Sequence, residues 1–408
     1  MSVNLTSPDK ENILDIPGIK ISTAEAGLKH SNRKDVALIF LDEGSLVAGV
    51  FTKNKFLAAP VQISKSHLSE GPHKRALLIN TGSANAGTGK KGLMDAKEVC
   101  NEVASHLKID EHEVLPFSTG VIMTPLPTHK INESIPVLVD HLNSNNWLDA
   151  AEAIMTTDTI PKAFSISGSV DSDTVHITGI CKGSGMINPN MATMLAFIGT
   201  DANINADLLM ELTKEITLKT FNKISVDGDT STNDSFIVVA TNKANHKQIT
   251  TKNNHYETLK EMIMNVALRL AQAIIRDGEG ATKFIEILVE QGKSEQECHE
   301  VAKAIANSPL VKTAFFASDP NLGRILAALG NAKLPHLDIE LVNIHLNEVL
   351  FAENGAIAPR YKDYEGEQEM IKDEICLTVS LGRGTAISTM WTSDLSYEYI
   401  KINTEYRT

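Results

Sequence analysis

The sequence predicts a mixed α/β fold of the α+β kind, with mixed sheets and helices packed in layers. Three observations carry that expectation. Strand-like apolar runs and helix-like runs occur along the whole 408 residues. They do not alternate regularly, as a doubly wound parallel sheet requires. The composition, 42% apolar and 22% charged, is ordinary for a globular chain and excludes collagen-like, coiled-coil and disordered classes. The length suits two or three domains or one large layered unit.

The elements follow in chain order. Residues 36–40 and 46–51 are apolar runs separated by Asp42-Glu43-Gly44, a hairpin signal. Residues 76–79 read as a short buried strand, followed by the small-residue loop Thr81-Gly82-Ser83-Ala84-Asn85-Ala86-Gly87. Residues 94–107 have helical spacing, with Val99, Val103 and Leu107 on one face. Residues 152–155 fall in another helix. Residues 164–170 and 174–180 pair across Asp171-Ser172-Asp173. The second half gives a strand at 195–198, a helix at 206–221 and a strand at 236–240. A long amphipathic helix at 256–275 and a strand at 284–289 follow. The tail from 339 onward is rich in strands. No internal repeat or low-complexity linker appears, and Asn143-Ser144-Asn145-Asn146 is a polar loop.

Charge and cysteines narrow the function classes. Thirty-eight Lys and Arg against 51 Asp and Glu give a net charge of -13. That balance disfavours a general nucleic-acid binder, which needs a basic surface. No run of about 18 apolar residues predicts a membrane span, and the first residues lack the basic and apolar regions of a secretory signal. Cys100, Cys181, Cys298 and Cys376 are scattered singly, without CxxC or zinc spacing. Isolated thiols fit a reducing cytoplasm better than a disulfide scaffold.

Several local patterns have ordinary explanations. Gly87-Thr88-Gly89-Lys90-Lys91 cannot be built into a GxxxxGK[ST] phosphate loop and reads as a surface turn. His112, between Glu111 and Glu113, reads as a solvated helix start after Asp110 rather than a metal ligand. Asn233-Asp234-Ser235 matches a glycosylation triplet that means nothing without secretion.

The densest segment is Cys181-Lys182-Gly183-Ser184-Gly185-Met186-Ile187-Asn188-Pro189-Asn190-Met191-Ala192-Thr193-Met194-Leu195. It joins two strands. Spacing alone favours an ordinary long β-connection with Thr193 as a strand starter. A chemical reading stands beside it. Cleavage between Ala192 and Thr193 would give Thr193 both a hydroxyl and a free α-amine, whose reference pKa is about 7.7–8.0. Nucleophile and base would then come from one residue, with no His or Cys needed. Acyl transfer also needs donors for the developing oxyanion. Phe117-Ser118-Thr119-Gly120-Val121 offers a hydroxyl and an approachable glycine N–H, though a plain strand-to-loop turn explains these residues equally well.

The run from Lys182 to Leu195 resembles the self-cleavage motif of the ArgJ family, the glutamate N-acetyltransferases or ornithine acetyltransferases of arginine biosynthesis. Further stretches match in order: Asn80-Thr81-Gly82-Ser83-Ala84-Asn85-Ala86, Ser118-Thr119-Gly120-Val121-Ile122, Ile154-Met155-Thr156-Thr157-Asp158-Thr159 and Val226-Asp227-Gly228-Asp229-Thr230-Ser231-Thr232-Asn233-Asp234. Asp319-Pro320-Asn321 through Gly330 and the ending Tyr399-Ile400-Lys401-Ile402-Asn403 match too. The resemblance covers almost the whole chain. Met123-Thr124 depart from it beside the oxyanion loop, where the family commonly has Gly and an acidic or polar residue. Leu322 stands where the family often has Trp.

The resemblance implies a layered sandwich of the ornithine acetyltransferase and DmpA-like type, built from residues 1–192 and 193–408 as two chains after self-cleavage at Ala192–Thr193. It implies a ping-pong transfer through acetyl-Thr193, from N-acetylornithine to glutamate, in a heterotetramer of two chains of each kind. In the bifunctional form acetyl-CoA also serves as co-substrate. No metal or organic cofactor, nucleic acid or membrane is implied. Thr119 and Gly120 become the oxyanion hole. Thr156, Lys182, Thr193, Glu279, Asn403 and Thr408 become substrate-binding positions. A lysine suits an α-carboxylate and a glutamate suits the ornithine ammonium. Two alternatives remain: a self-processing aminopeptidase or amidohydrolase with water as acceptor, and a non-catalytic amino-acid sensor on the same scaffold.

Overall fold

The computed structural model describes residues 2–29, 32–188 and 194–405. The strands in chain order are β1 (Ile19–Ala24), β2 (Val36–Leu41), β3 (Leu46–Phe51), β4 (Ala76–Ser83), β5 (Val114–Val121), β6 (Lys162–Val170), β7 (Asp173–Lys182) and β8 (Leu195–Thr200). They continue as β9 (Ile224–Ser225), β10 (Ser235–Ala240), β11 (Phe284–Gly292), β12 (Asn343–Leu346), β13 (Val349–Glu353), β14 (Ala356–Ile357), β15 (Glu374–Ser380) and β16 (Ala386–Ser393). Two compact units result. The larger holds Ser7–Asn222 and Asp229–Ile274, the smaller Met1–Thr6, Lys223–Gly228 and Ile275–Thr408.

The larger unit is a sandwich of two sheets. One has the order β1-β2-β4-β5, the other β3-β10-β8-β7-β6. Their inner faces share one core: Ile39, Ile79, Leu115 and Phe117 from the first sheet meet Ile180, Leu195, Phe197, Ile237 and Val239 from the second. Phe117 and Phe197 meet edge to face at 5.1 Å between centroids, a favoured aromatic geometry. The outer face of the first sheet carries Val36, Leu38, Leu78 and Val114. These pack with the apolar stripes of α1 (Ala59–Ser69), α2 (Gly89–Leu107) and α3 (Thr128–Asp140), such as Val99, Val103 and Ile135. Helix α4 (Trp147–Ala153) contributes Trp147 to the inner core. Helices α5 (Ala206–Lys219) and α6 (Asn254–Arg276) follow β8 and β10. A Cβ on Gly179 of β7 would lie 2.9 Å from Leu270 and Val266 of α6, so that glycine lets helix and sheet approach closely.

The hairpin expected at Asp42-Glu43-Gly44 does not form, because β2 and β3 lie in different sheets. Strand β2 is buried on both faces: Val36 and Leu38 face the helices, and Ala37, Ile39 and Leu41 face the sandwich core. Such a strand belongs in a sheet interior. Strands β1 and β4 occupy both of its edges, so β3 has nowhere to pair and crosses to β10. Other expected elements are present with shifted ends. Strand β4 runs on to Ser83, and α2 begins at Gly89. The 164–170 and 174–180 runs do pair, as β6 and β7.

Strand β7 pairs antiparallel with β8, from Ile177 with Thr200 to Lys182 with Leu195. Residues on both sides of position 192 therefore share one sheet. The smaller unit is a seven-stranded sheet, β14-β13-β12-β15-β11-β16-β9. Ile285, Ile287 and Val289 of β11 pack with Cys298, Val301 and Ile305 of α7 (Glu295–Ala306). Helices α8 (Pro309–Phe316), α9 (Leu322–Gly330), α10 (Asp363–Met370) and α11 (Tyr397–Glu405) complete it. Leu322, the departure from Trp, packs against that core. Among the described residues, no helix is long and apolar enough to cross a membrane.

Candidate active site

The geometry starts where β4 and β5 end side by side. They are parallel and in register, Thr81 with Thr119 and Gly82 with Gly120. Gly120 has φ +129, and a Cβ there would lie 2.3 Å from the Gly82 carbonyl carbon. Only glycine fits both the backbone angle and the space. Gly120→Ala should therefore cost on the order of 4 kcal/mol through strain and overpacking. Urea unfolding measures it, and a loss under about 1 kcal/mol would contradict this packing.

The residues around Gly120 are tied down by side chains. The Ser118 hydroxyl donates to Asn80 Oδ1 at 2.5 Å, and Asn80 Nδ2 donates to the Ser83 carbonyl at 3.0 Å. Thr119 is 6% exposed. Its Oγ1 accepts from Lys182 Nζ at 3.1 Å. A hydroxyl that accepts from an ammonium keeps its own hydrogen to donate elsewhere. Thr119 is thus set up as a donor, beside a positive charge that favours a developing oxyanion.

Lys182 is the last residue of β7, and the connection that follows it is pinned at its start. The Gly183 N–H donates to Asp158 Oδ1 at 2.7 Å, and the Thr157 and Ser184 hydroxyls are 2.6 Å apart. Asp158 is a hub. It also accepts from Lys162 Nζ at 2.6 Å and from the Thr156 N–H at 2.9 Å. The Asp158 and Lys162 side chains are fully enclosed. Burial pushes the Asp158 carboxyl up, but the charges of Lys162 and Lys182 and the Gly183 N–H outweigh it and hold it well below the usual carboxylate range. Through Asp158, Thr156 and the base of the 183–194 connection are held together. The far end is pinned too, since Met194 O accepts from the Ser235 N–H at 2.9 Å.

The smaller unit carries its own pair. Glu279 is buried, and its Oε2 accepts from Asn403 Nδ2 at 2.7 Å. Asn403 also donates to the Tyr399 carbonyl within α11. The Gly280 carbonyl accepts from the Ser396 hydroxyl at 2.6 Å, which seats the Asp277-Gly278-Glu279-Gly280 turn on the start of that helix.

The structure thus brings Thr119, Gly120, Lys182 and Thr156 together in the larger unit, and Glu279 and Asn403 together in the smaller. Ala192, Thr193 and Thr408 lie outside the described residues. In the sequence Asp158 and Asn233 stand only as members of matching stretches. What sets them apart is distant along the chain: Gly183, 25 positions from Asp158, and Ala84 and Ser118, 149 and 115 positions from Asn233. Met123, beside the oxyanion loop, has φ +66 and is 70% exposed. Gly87-Thr88-Gly89 opens α2, and Asp110 caps the short turn that holds His112. Among the described residues no group of three or more His, Cys, Asp or Glu could hold a metal ion.

Comparison with known proteins matches the ArgJ family over residues 20–408. The arginine biosynthesis bifunctional protein ArgJ of Neisseria meningitidis serogroup A / serotype 4A is 52% identical over 409 residues, covering 100% of both chains. A crystal structure of the arginine biosynthesis bifunctional protein from Bacillus halodurans is 35% identical, with a TM-score of 0.48, over 50% of this chain and 95% of that one. The ornithine acetyltransferase of Mycobacterium tuberculosis complexed with ornithine is 32% identical, with a TM-score of 0.39, over 43% of this chain and 94% of that one.

Proposed function

Since the chain belongs to the ArgJ family, we propose that it is an acetyltransferase of arginine biosynthesis whose nucleophile is Thr193, released by self-cleavage. The observation that carries this reading is the Lys182–Thr119 contact beside Gly120. It sits on the strand that pairs with the start of β8, and Thr193 is two residues ahead of Leu195.

Processing comes first. The Thr193 hydroxyl attacks the Ala192 carbonyl carbon, and the peptide C–N bond gives way to an ester. Water hydrolyses the ester, leaving the Ala192 carboxylate and the free Thr193 amine. Two polypeptides, 1–192 and 193–408, then share the larger unit's second sheet. In catalysis the amine takes the Thr193 hydroxyl proton as Oγ attacks the acetyl carbon of N-acetylornithine. The Thr119 hydroxyl and the Gly120 N–H receive the oxyanion. Ornithine leaves with the proton, and acetyl-Thr193 remains. The glutamate amine attacks that ester, giving N-acetylglutamate and restoring the hydroxyl.

Substrate contacts follow the charges. The Lys182 ammonium has three hydrogens, so it can hold Thr119 and an α-carboxylate together. The buried Glu279 carboxylate suits the ornithine ammonium, with Thr156, Asn403 and Thr408 completing recognition. Acetyl-CoA serves as a second acetyl donor. The working assembly is a cytoplasmic heterotetramer of two chains of each kind.

A denaturing gel with N-terminal sequencing tests processing. The expected result is two bands, one opening Thr-Met-Leu-Ala-Phe; a single uncut band from active enzyme would overturn it. Incubation with N-acetylornithine and glutamate tests the transfer. Free acetate without N-acetylglutamate would instead support the amidohydrolase reading.

A further inference from the structure

Asn233 connects three parts of the chain through one buried carboxamide. It is 7% exposed. Its Nδ2 donates to the Ala84 carbonyl at 2.6 Å and to the Ser118 carbonyl at 2.9 Å. Its Oδ1 accepts from the Thr232 hydroxyl at 2.7 Å, and its own N–H donates to the Ser231 hydroxyl oxygen at 3.1 Å. Both amide hydrogens and the acceptor are used, so the group has one orientation.

One of its two carbonyl partners adjoins the proposed oxyanion donors, and the other lies just past the neighbouring strand. Ala84 follows the end of β4, and the Ser118 carbonyl belongs to the peptide that leads into Thr119. Asn233 also lies two residues before Ser235, the residue that opens β10. Ser235 pairs with Leu195 in a parallel ladder, and its N–H holds the Met194 carbonyl. The segment that carries Asn233 thus touches the first described residue after position 193. Its side chain reaches across the sandwich to the donors.

We propose that Asn233 is a positioning residue for acyl transfer, setting the distance between β8, which begins two residues after Thr193, and the Thr119–Gly120 donors. It acts through its partners Ala84, Ser118, Ser231 and Thr232. The inference rests on the proposed nucleophile for its consequence, but not for its geometry. Oxyanion donors act only within about 2.7–3.1 Å of the charge, and a misplacement of about 1 Å can cost about 10²-fold in rate. Without the carboxamide, two buried carbonyls lose the donor that ties them to the 231–235 segment.

The test uses Asn233→Asp, which keeps the shape and the acceptor for Thr232 but replaces the donating amide, and Asn233→Ala. For folded, processed enzyme we expect kcat to fall about 10²-fold, with KM for N-acetylornithine changed less than about threefold. Hydrogen exchange of residues 114–124 should quicken in both variants, while exchange in β11 and β15 stays as in the wild type. A kcat within about threefold of wild type, or unchanged exchange in 114–124, overturns the proposal. Should the wild type transfer no acetyl group, the proposed function fails, and the exchange measurement still decides the positioning role. Should Asn233→Ala fail to fold, Asn233→Asp carries both readouts.

Discussion

Replacing Thr193 with alanine should leave a single uncut chain of 408 residues and no measurable acetyl transfer. In the proposed mechanism the hydroxyl does two jobs: it attacks the Ala192 carbonyl during processing, and later the acetyl carbon. Alanine removes both. It also keeps the amine locked in a peptide bond, so the base never appears. Loss of a nucleophile in comparable covalent mechanisms costs about 10⁶-fold in kcat. The expected loss here is at least about 10⁴-fold, because binding and the oxyanion donors remain. Thr193→Ser keeps a hydroxyl at the same position and should still cleave and transfer, more slowly. Mass spectrometry of purified protein and a timed transfer assay separate the cases. A Thr193→Ala protein that appears as two chains, or that transfers acetyl at more than about one hundredth of the wild-type rate, would remove Thr193 from the mechanism.

Asp158→Asn should be the most damaging substitution away from the nucleophile. Its carboxylate pairs with Lys162 in full enclosure and also receives the N–H groups of Thr156 and Gly183. The neutral amide leaves the Lys162 ammonium buried without its counter-charge. Breaking one side of a buried pair costs about 3–5 kcal/mol. An amide also presents hydrogens where these three donors already point, so the base of the 183–194 connection loosens. Denaturant unfolding measures the stability loss, and a difference below about 1 kcal/mol would contradict the hub role. KM for N-acetylornithine should rise as well, since Thr156 and Gly183, the neighbour of Lys182, lose their common anchor.

Acid should expose the same group. The folded carboxyl titrates below its unfolded value. Its contribution is therefore complete above the unfolded value of about 3.9, and is lost as pH falls from there through the depressed folded value. Below about pH 4 the wild type should lose stability faster than Asp158→Asn, and the gap between them should narrow. A constant gap from pH 6 down to pH 3 would show that the carboxylate is not charged in the fold.

Much of this protein was legible from local patterns. The 3.6-residue stripe of Val99 and Val103 marks α2, and the turn Asp171-Ser172-Asp173 marks the β6–β7 pair. Such features depend on neighbours a few residues away, which the sequence states directly. By spacing alone the Lys182-Gly183-Ser184 stretch and the Thr119-Gly120 pair read as an ordinary connection and turn, and they suggest acyl transfer only through the resemblance to the ArgJ family. The hairpin at residues 42–44 failed for the opposite reason. Whether β2 pairs with β3 depends on competition for its edges from β1 and β4, and on burial of both its faces, which no local window contains.

The site divides along the same line. Residue types and spacing determine that a threonine follows Ala192, that Gly120 follows a hydroxyl residue, and that a lysine ends the strand before the connection. Only the tertiary structure decides that Lys182 donates to Thr119 across 63 positions, that Asp158 holds the Gly183 N–H across 25, and that Asn233 reaches Ser118 across 115. Those links are made by single buried polar side chains. A buried polar group must find its partner wherever the packed layers bring one within reach. Sequence order fixes the chemical groups available, and the closing of the two sheets fixes which of them meet.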